Sequence, residues 1–169
     1  SLNFAGTGGL TINVINNFRL QQATLQDNGN TINIAGNVYN SGKLEGTGKI
    51  VLNDTALQTI DGGGIFNNID LNNTNAAAAP VSLLSNIIVN GNLTFSNNKL
   101  FNIGTYNLRL NGQASIVNGG PLRYIKCAGN NGDGGVTKVF SATGPFTFYI
   151  GVNNYTPATF AFSSDPSAY

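Results

Sequence analysis

At 169 residues the chain is long enough for one good core, with room for a small second unit. Charged residues make up 9% of it and the formal net charge is +1, which argues against nucleic-acid binding because there is no basic patch or stripe to neutralise phosphates. No run approaches the roughly 18 apolar residues of a membrane span, and the single cysteine, Cys127, rules out an internal disulfide.

Taken in order, residues 1 to 9 are Gly-rich and lead into a repeated phrase: an aliphatic residue, a spacer, a second aliphatic residue, then asparagine. The phrase stands at Leu10-Thr11-Ile12-Asn13, Asn30-Thr31-Ile32-Asn33, Ile50-Val51-Leu52-Asn53, Ile69-Asp70-Leu71-Asn72, Ile87-Ile88-Val89-Asn90 and Leu108-Arg109-Leu110-Asn111. Its asparagines step by 20, 20, 19, 18 and 21 residues. So regular a step marks units that stack on one another. Within each phrase the alternation has the period of a half-buried strand, and β-branched residues are common. Other strand-like pieces lie between the phrases, such as Phe18-Arg19-Leu20, Leu57-Gln58-Thr59-Ile60 and Lys99 to Ile103. Turn residues separate them, among them Asn28-Gly29-Asn30 and Asp61-Gly62-Gly63-Gly64. Ala76-Ala77-Ala78-Ala79-Pro80 is too short for a helix and reads as a loop bulging from the stack.

A unit of about 20 residues therefore holds two or three short strands joined by corners, the unit of a β-solenoid. The expected fold is all-β: a parallel β-helix of about five to six coils over residues 1–120. Residues 121–169 lose the phrase and carry longer, more aromatic strands, so they read as a C-terminal β cap or the start of a β-sandwich. A leucine-rich repeat fits less well, because asparagine follows the strand directly and the returns are strand-like. Asn13, Asn33, Asn53, Asn72, Asn90 and Asn111 end equivalent phrases. In successive coils they would stack about 4.8 Å apart and bond through their amides as a ladder.

The chemistry-bearing residues are few. There is no histidine, which removes imidazole bases, His-based triads and His zinc sites. The seven carboxylates are Asp27, Glu45, Asp54, Asp61, Asp70, Asp133 and Asp165. A glycosidase needs two of them facing one cleft, and the nearest pair in the repeat, Asp54 and Asp70, do not share a column. No catalytic residue, cofactor site or metal site is assigned. Asn130-Asn131-Gly132-Asp133-Gly134 has the oxygen ligands of a calcium loop but lacks its spacing and closing glutamate; it reads as a Gly-rich hairpin loop. Cys127 reads as a small core residue. Tyr39, Tyr106, Tyr149 and Tyr155 are the candidate ligand contacts, since exposed tyrosines can stack on sugars.

Gln58-Thr59-Ile60-Asp61-Gly62 followed by Phe66 to Asn73 resembles repeats of large secreted proteins of Bacteroidetes-type bacteria. So does Val89-Asn90-Gly91-Asn92-Leu93-Thr94-Phe95 followed by Tyr106 to Gly112, and Phe146 to Val152 with Tyr155-Thr156-Pro157 is similar to the passage that closes such arrays. The resemblance implies a right-handed parallel β-helix, export to the cell surface and a longer multi-domain parent. The chain also begins and ends inside β-like sequence, as a segment of such a parent would. The expected role is a non-enzymatic module of a secreted or cell-surface protein, a rigid spacer or adhesive surface for polysaccharide or surface proteins. The alternative is a carbohydrate-binding or pectin-lyase-like, polysaccharide-degrading β-helix.

Overall fold

The computed structural model describes residues 2–4, 8–129, 134–164 and 166. Among them every regular element is a β-strand. The chain visits three faces, here A, B and C, in a fixed order. Leu2–Asn3 lies on face A, Thr11–Val14 on B and Phe18–Leu20 on C. The second coil repeats the order with Thr24–Gln26, Thr31–Ile34 and Val38–Asn40, and the third with Lys43–Glu45, Lys49–Leu52 and Gln58–Asp61. The fourth runs through Ile65–Phe66, Asn68–Leu71 and Val81–Leu83. The fifth holds Ile87–Val89, Asn92–Phe95 and Phe101–Gly104, and the sixth Asn107–Leu110, Ser115–Val117 and Ile125–Cys127. Neighbours on each face pair in parallel. Parallel strands need a long crossover, and here the other two faces of the coil supply it. The protein is a three-sided β-solenoid of six complete coils.

Alternation dictates which residues point inward. On face B, Ile12, Ile32, Ile50, Ile69, Leu93 and Ile116 stack in register, and Val14, Ile34, Leu52, Leu71 and Phe95 form a second column two residues on. On face C, Gln58, Val81, Phe101, Ile125 and Ile150 stack in the same way. Together with Leu44, Phe66, Val89 and Leu108 of face A, these columns make one core along the axis. Each inward strand residue meets its like one coil away. Substitutions among Ile, Leu, Val and Phe therefore preserve the packing, which suits a repeat of loose sequence.

Gln58 is the exception in its column. Its amide Nε2 donates to the carbonyls of Ile34 (2.8 Å) and Gly36 (2.7 Å), and its Oε1 accepts from the Asp54 backbone N–H and from Asn73 Nδ2. The buried amide thus bonds backbone groups on both sides of the B-to-C corner. That corner lengthens from the third coil onward. Ala76 to Pro80 forms an irregular bulge there, with Ala77 and Ala78 accepting from Lys99 Nζ and the Leu100 N–H.

The parallel stack does not stop at residue 120. Ile125–Cys127, Gly135–Lys138 and Ile150–Gly151 extend faces C, A and C again. The turn phrase is lost there because the corners are longer. The closing element is the antiparallel pair Gly144–Phe148 with Ala158–Phe162, beyond the last strand of face B. Phe140, Phe146, Phe148, Phe160 and Phe162 pack on one another within it, the closest rings 4.6 Å apart. Lys138 enters the inward column opposite Leu110. Its Nζ donates to the carbonyls of Asn111 (2.9 Å) and Gly112 and lies 5.4 Å from the Phe146 ring. Burial lowers the pKa of that ammonium group.

Candidate functional site

The six phrase asparagines do not stand in one column. Asn13 and Asn33 are in register on face B, and Asn33 Nδ2 donates to Asn13 Oδ1 at 2.9 Å. Register then places Val51, not Asn53, opposite Asn33. Asn53 and Asn72 follow the next strands of face B at the corner, where Asn72 Oδ1 accepts from Asn97. Asn90 and Asn111 follow strands of face A and bond to each other at 2.7 Å. The phrase changes face because the fourth coil is longer: Ile50 to its neighbour Ile69 is 19 residues, but Ile69 to Leu93 is 24. An 18-residue step from Asn72 thus stops at face A, one face short of a full turn.

A different set of asparagines ties the coils together. Each stands just before an inward apolar residue. Asn17 Oδ1 accepts the Asn37 N–H at 2.8 Å, and Asn37 Oδ1 accepts the Thr59 N–H at 2.9 Å. Asn68 does the same for Asn92 and Asn86 for Asn107. The amide oxygen catches an N–H at or beside the start of the equivalent strand in the next coil.

The described carboxylates are dispersed over different faces and corners, two of them buried. Glu45 lies on face A, bonded by Lys43 and Gln26, and the Lys43 contact holds its pKa below the usual value. Asp27 sits buried at the A-to-B corner, where its Oδ1 accepts from the backbone N–H groups of Gly29 and Gly48, each at 2.8 Å. Asp70 is buried on face B, held by Lys49 Nζ at 2.7 Å and by the Ser96 hydroxyl. Asp54 caps Thr55 at the B-to-C corner and Asp61 lies on face C. Among the described residues no three His, Cys, Asp or Glu side chains are grouped to hold a metal ion. Asp133 and most of the Gly-rich loop lie outside the described residues, as does Asp165. Cys127 is half-buried on face C, and burial raises its thiol pKa, which disfavours the thiolate.

The four tyrosines are not one site. Tyr106 packs against the core at the C-to-A corner. Tyr149 lies at the carboxyl end, where its ring covers Gly119 so closely that a Cβ there would sit 2.2 Å from it. Tyr155 stacks on the buried Tyr124 with centroids 5.7 Å apart. Burial, and then the neighbouring Tyr149, raise the Tyr155 pKa.

Tyr39 alone opens on a groove along a flat face. Face C turns Phe18, Val38 and Ile60 inward, so Arg19, Tyr39 and Asp61 point outward in one register column, continued by Leu84. These four, with Asn37 and Thr59 beside them, line a groove of about 250 Å³. Arg19 lies with Cζ 4.1 Å from the Tyr39 ring centroid, close to the separation of adjacent coils. The ring is therefore stacked along the solenoid axis, with Arg19 on one side. Asp61 Oδ1 accepts the Gly62 N–H at 2.7 Å.

No protein family, curated protein or solved structure matches this chain.

The groove arose from two signals present in the sequence, the outward parity of Arg19, Tyr39 and Asp61 and their steps of 20 and 22 residues. Chemically, the groove offers an aromatic face, a carboxylate oxygen and amide and hydroxyl groups in a shallow trough. It can bind a polar ligand, and it brings no second carboxylate to Asp61.

Proposed function

We propose that this chain is a non-enzymatic β-solenoid module of a secreted or cell-surface protein, a rigid strut whose sides adhere to polysaccharide or to other surface proteins. The observation that carries the reading is the unbroken stacking of six coils on all three faces. A column of like residues with paired backbones resists bending and offers long flat sides at fixed spacing. The repeats' likeness to secreted Bacteroidetes-type arrays supports the same role and the same location. The dispersal of Glu45, Asp54, Asp61 and Asp70 over different faces and corners supports the absence of catalysis by paired carboxylates.

The test is a panel of plant and microbial polysaccharides incubated with the purified chain, with and without calcium. Retention without new chain ends is the expected result. New chain ends would overturn the non-enzymatic reading and direct attention to the acidic residues.

A further inference from the structure

Tyr39, Asp61 and Leu84 occupy successive coils in one outward column, and their sizes differ in a way that makes a slot. Arg19 covers the Tyr39 ring from the first coil. The opposite ring face looks toward the third coil, where the column holds the shorter Asp61. Leu84 stands in the fourth coil and is 49% exposed, although the inward Leu83 beside it is buried. Two coil spacings, about 10 Å, separate the strands that bear Tyr39 and Leu84. Subtracting the thickness of the two walls leaves a gap about one ring deep. Its floor is the Asp61 carboxylate, whose Oδ2 is left to accept while Oδ1 is held by Gly62. Thr59, one column over, adds a hydroxyl, and Asn37 adds an amide whose Oδ1 is already committed to the backbone, leaving its Nδ2 to donate.

We propose that this slot is a subsite for one pyranose ring of a glycan chain. The assignment rests on the adhesive reading above and names its ligand class and place. A pyranose presents C–H groups on its faces and hydroxyls around its edge. The Tyr39 ring and the Leu84 methyl groups meet the faces, while Asp61, Thr59 and Asn37 meet the edge. A flat aromatic ligand would leave the Asp61 carboxylate unpaired on burial, at a cost. Arg19 acts as a positioning residue that holds the Tyr39 ring upright.

The test is an amide NMR titration of the whole chain with cello-, manno-, chito-, xylo- and galacturono-oligosaccharides. At least one of them is expected to shift the amides of Tyr39, Thr59, Asp61 and Leu84 in a saturable way. Tyr39→Ala and Asp61→Asn should each weaken that sugar by about tenfold, while Tyr39→Phe retains it. Spectra that are unchanged away from the groove show that the variants fold. Saturable shifts elsewhere, affinity untouched by Tyr39→Ala, or no saturable shift with any of the five would each overturn the slot. Retention of whole polysaccharide in the last case would leave the adhesive reading standing, whereas cleavage of any sugar would overturn that reading instead.

Discussion

At the amino end of the solenoid most inward residues of the first coil are only half covered, whereas the same positions one coil later are sealed. Ile12, Val14 and Phe18 are partly exposed, while their register partners Ile32, Ile34 and Val38 are buried. Ile15 is 81% exposed and Leu10 54%. At the carboxyl end the last inward residues are also only partly buried, but an element of another kind lies against them. Val136, Phe146 and Ile150 pack against the core, and the antiparallel pair of Gly144–Phe148 with Ala158–Phe162 replaces a further strand of face B. The comparison teaches what an end of a stack requires. An end strand offers unpaired backbone and apolar side chains to anything that fits. An antiparallel, aromatic hairpin breaks the parallel pattern and so ends it. Lys138 adds a charge at an inward position, which no further coil could cover cheaply.

The largest expected effect breaks the contrast between middle and end. Phe101→Ala, in the fully buried fifth coil, should cost about 3–5 kcal/mol. Ile12→Ala, at the amino end, should cost about 1 kcal/mol or less, because the side chain is already half in water. Urea denaturation of the two variants measures the difference, and equal losses would mean the ends are as tightly packed as the middle.

Gln58→Ala is next. It leaves the Ile34 and Gly36 carbonyls and the Asn73 amide short of partners, for an expected loss of about 1–3 kcal/mol by the same denaturation. Gln58→Leu should do no better, since it restores volume but not the bonds. A third variant acts on the antiparallel pair. Phe146→Ala should cost about 1–2 kcal/mol and raise amide exchange in Gly135–Lys138, with the second coil unaffected.

The smallest effect is electrostatic. The Glu45 pKa is lowered in the folded state, chiefly by Lys43. Its stabilising contribution is therefore present above the unfolded value near 4.5 and is lost as pH falls through the lowered folded value. In that window the unfolded chain binds more protons, so stability falls with pH. Glu45→Gln should flatten this part of a plot of Tm against pH slightly, and the exposed setting of the pair keeps the change small. An unchanged slope would mean that the pair is not formed in solution.

Much of the architecture was legible in the residues. Alternation at Leu10 to Val14 or Ile50 to Leu52 declared strands, and the step of about 20 declared stacked coils. The face of each phrase was not legible, because every strand of the coil obeys the same inward and outward code. Ile87 to Asn90 reads like Ile69 to Asn72 but lies on another face. Only the length of the Asn73 to Pro80 corner, which has no pattern of its own, decides which. The same ambiguity hid the asparagines that do bridge coils. Asn17-Phe18, Asn37-Val38, Asn68-Ile69 and Asn86-Ile87 share the signal of asparagine before an inward apolar residue, but their steps of 20, 31 and 18 residues follow no fixed period. The extent of the stack past residue 120 was masked by longer corners and by the aromatic strands of the antiparallel pair. Tyr39 was visible as a candidate contact; Arg19, Asp61 and Leu84 became its neighbours only once register was fixed.

Native-state amide exchange, read residue by residue, tests most directly that this is one continuous solenoid whose stack runs past residue 120. The predicted result is fast exchange in Thr11–Leu20, slow exchange from Thr31 through Phe101–Gly104, and protection that persists in Ile125–Cys127 and Ile150. Protection that drops abruptly at about residue 120, with the remaining strands exchanging as a separate unit, would contradict the account and divide the chain into two bodies.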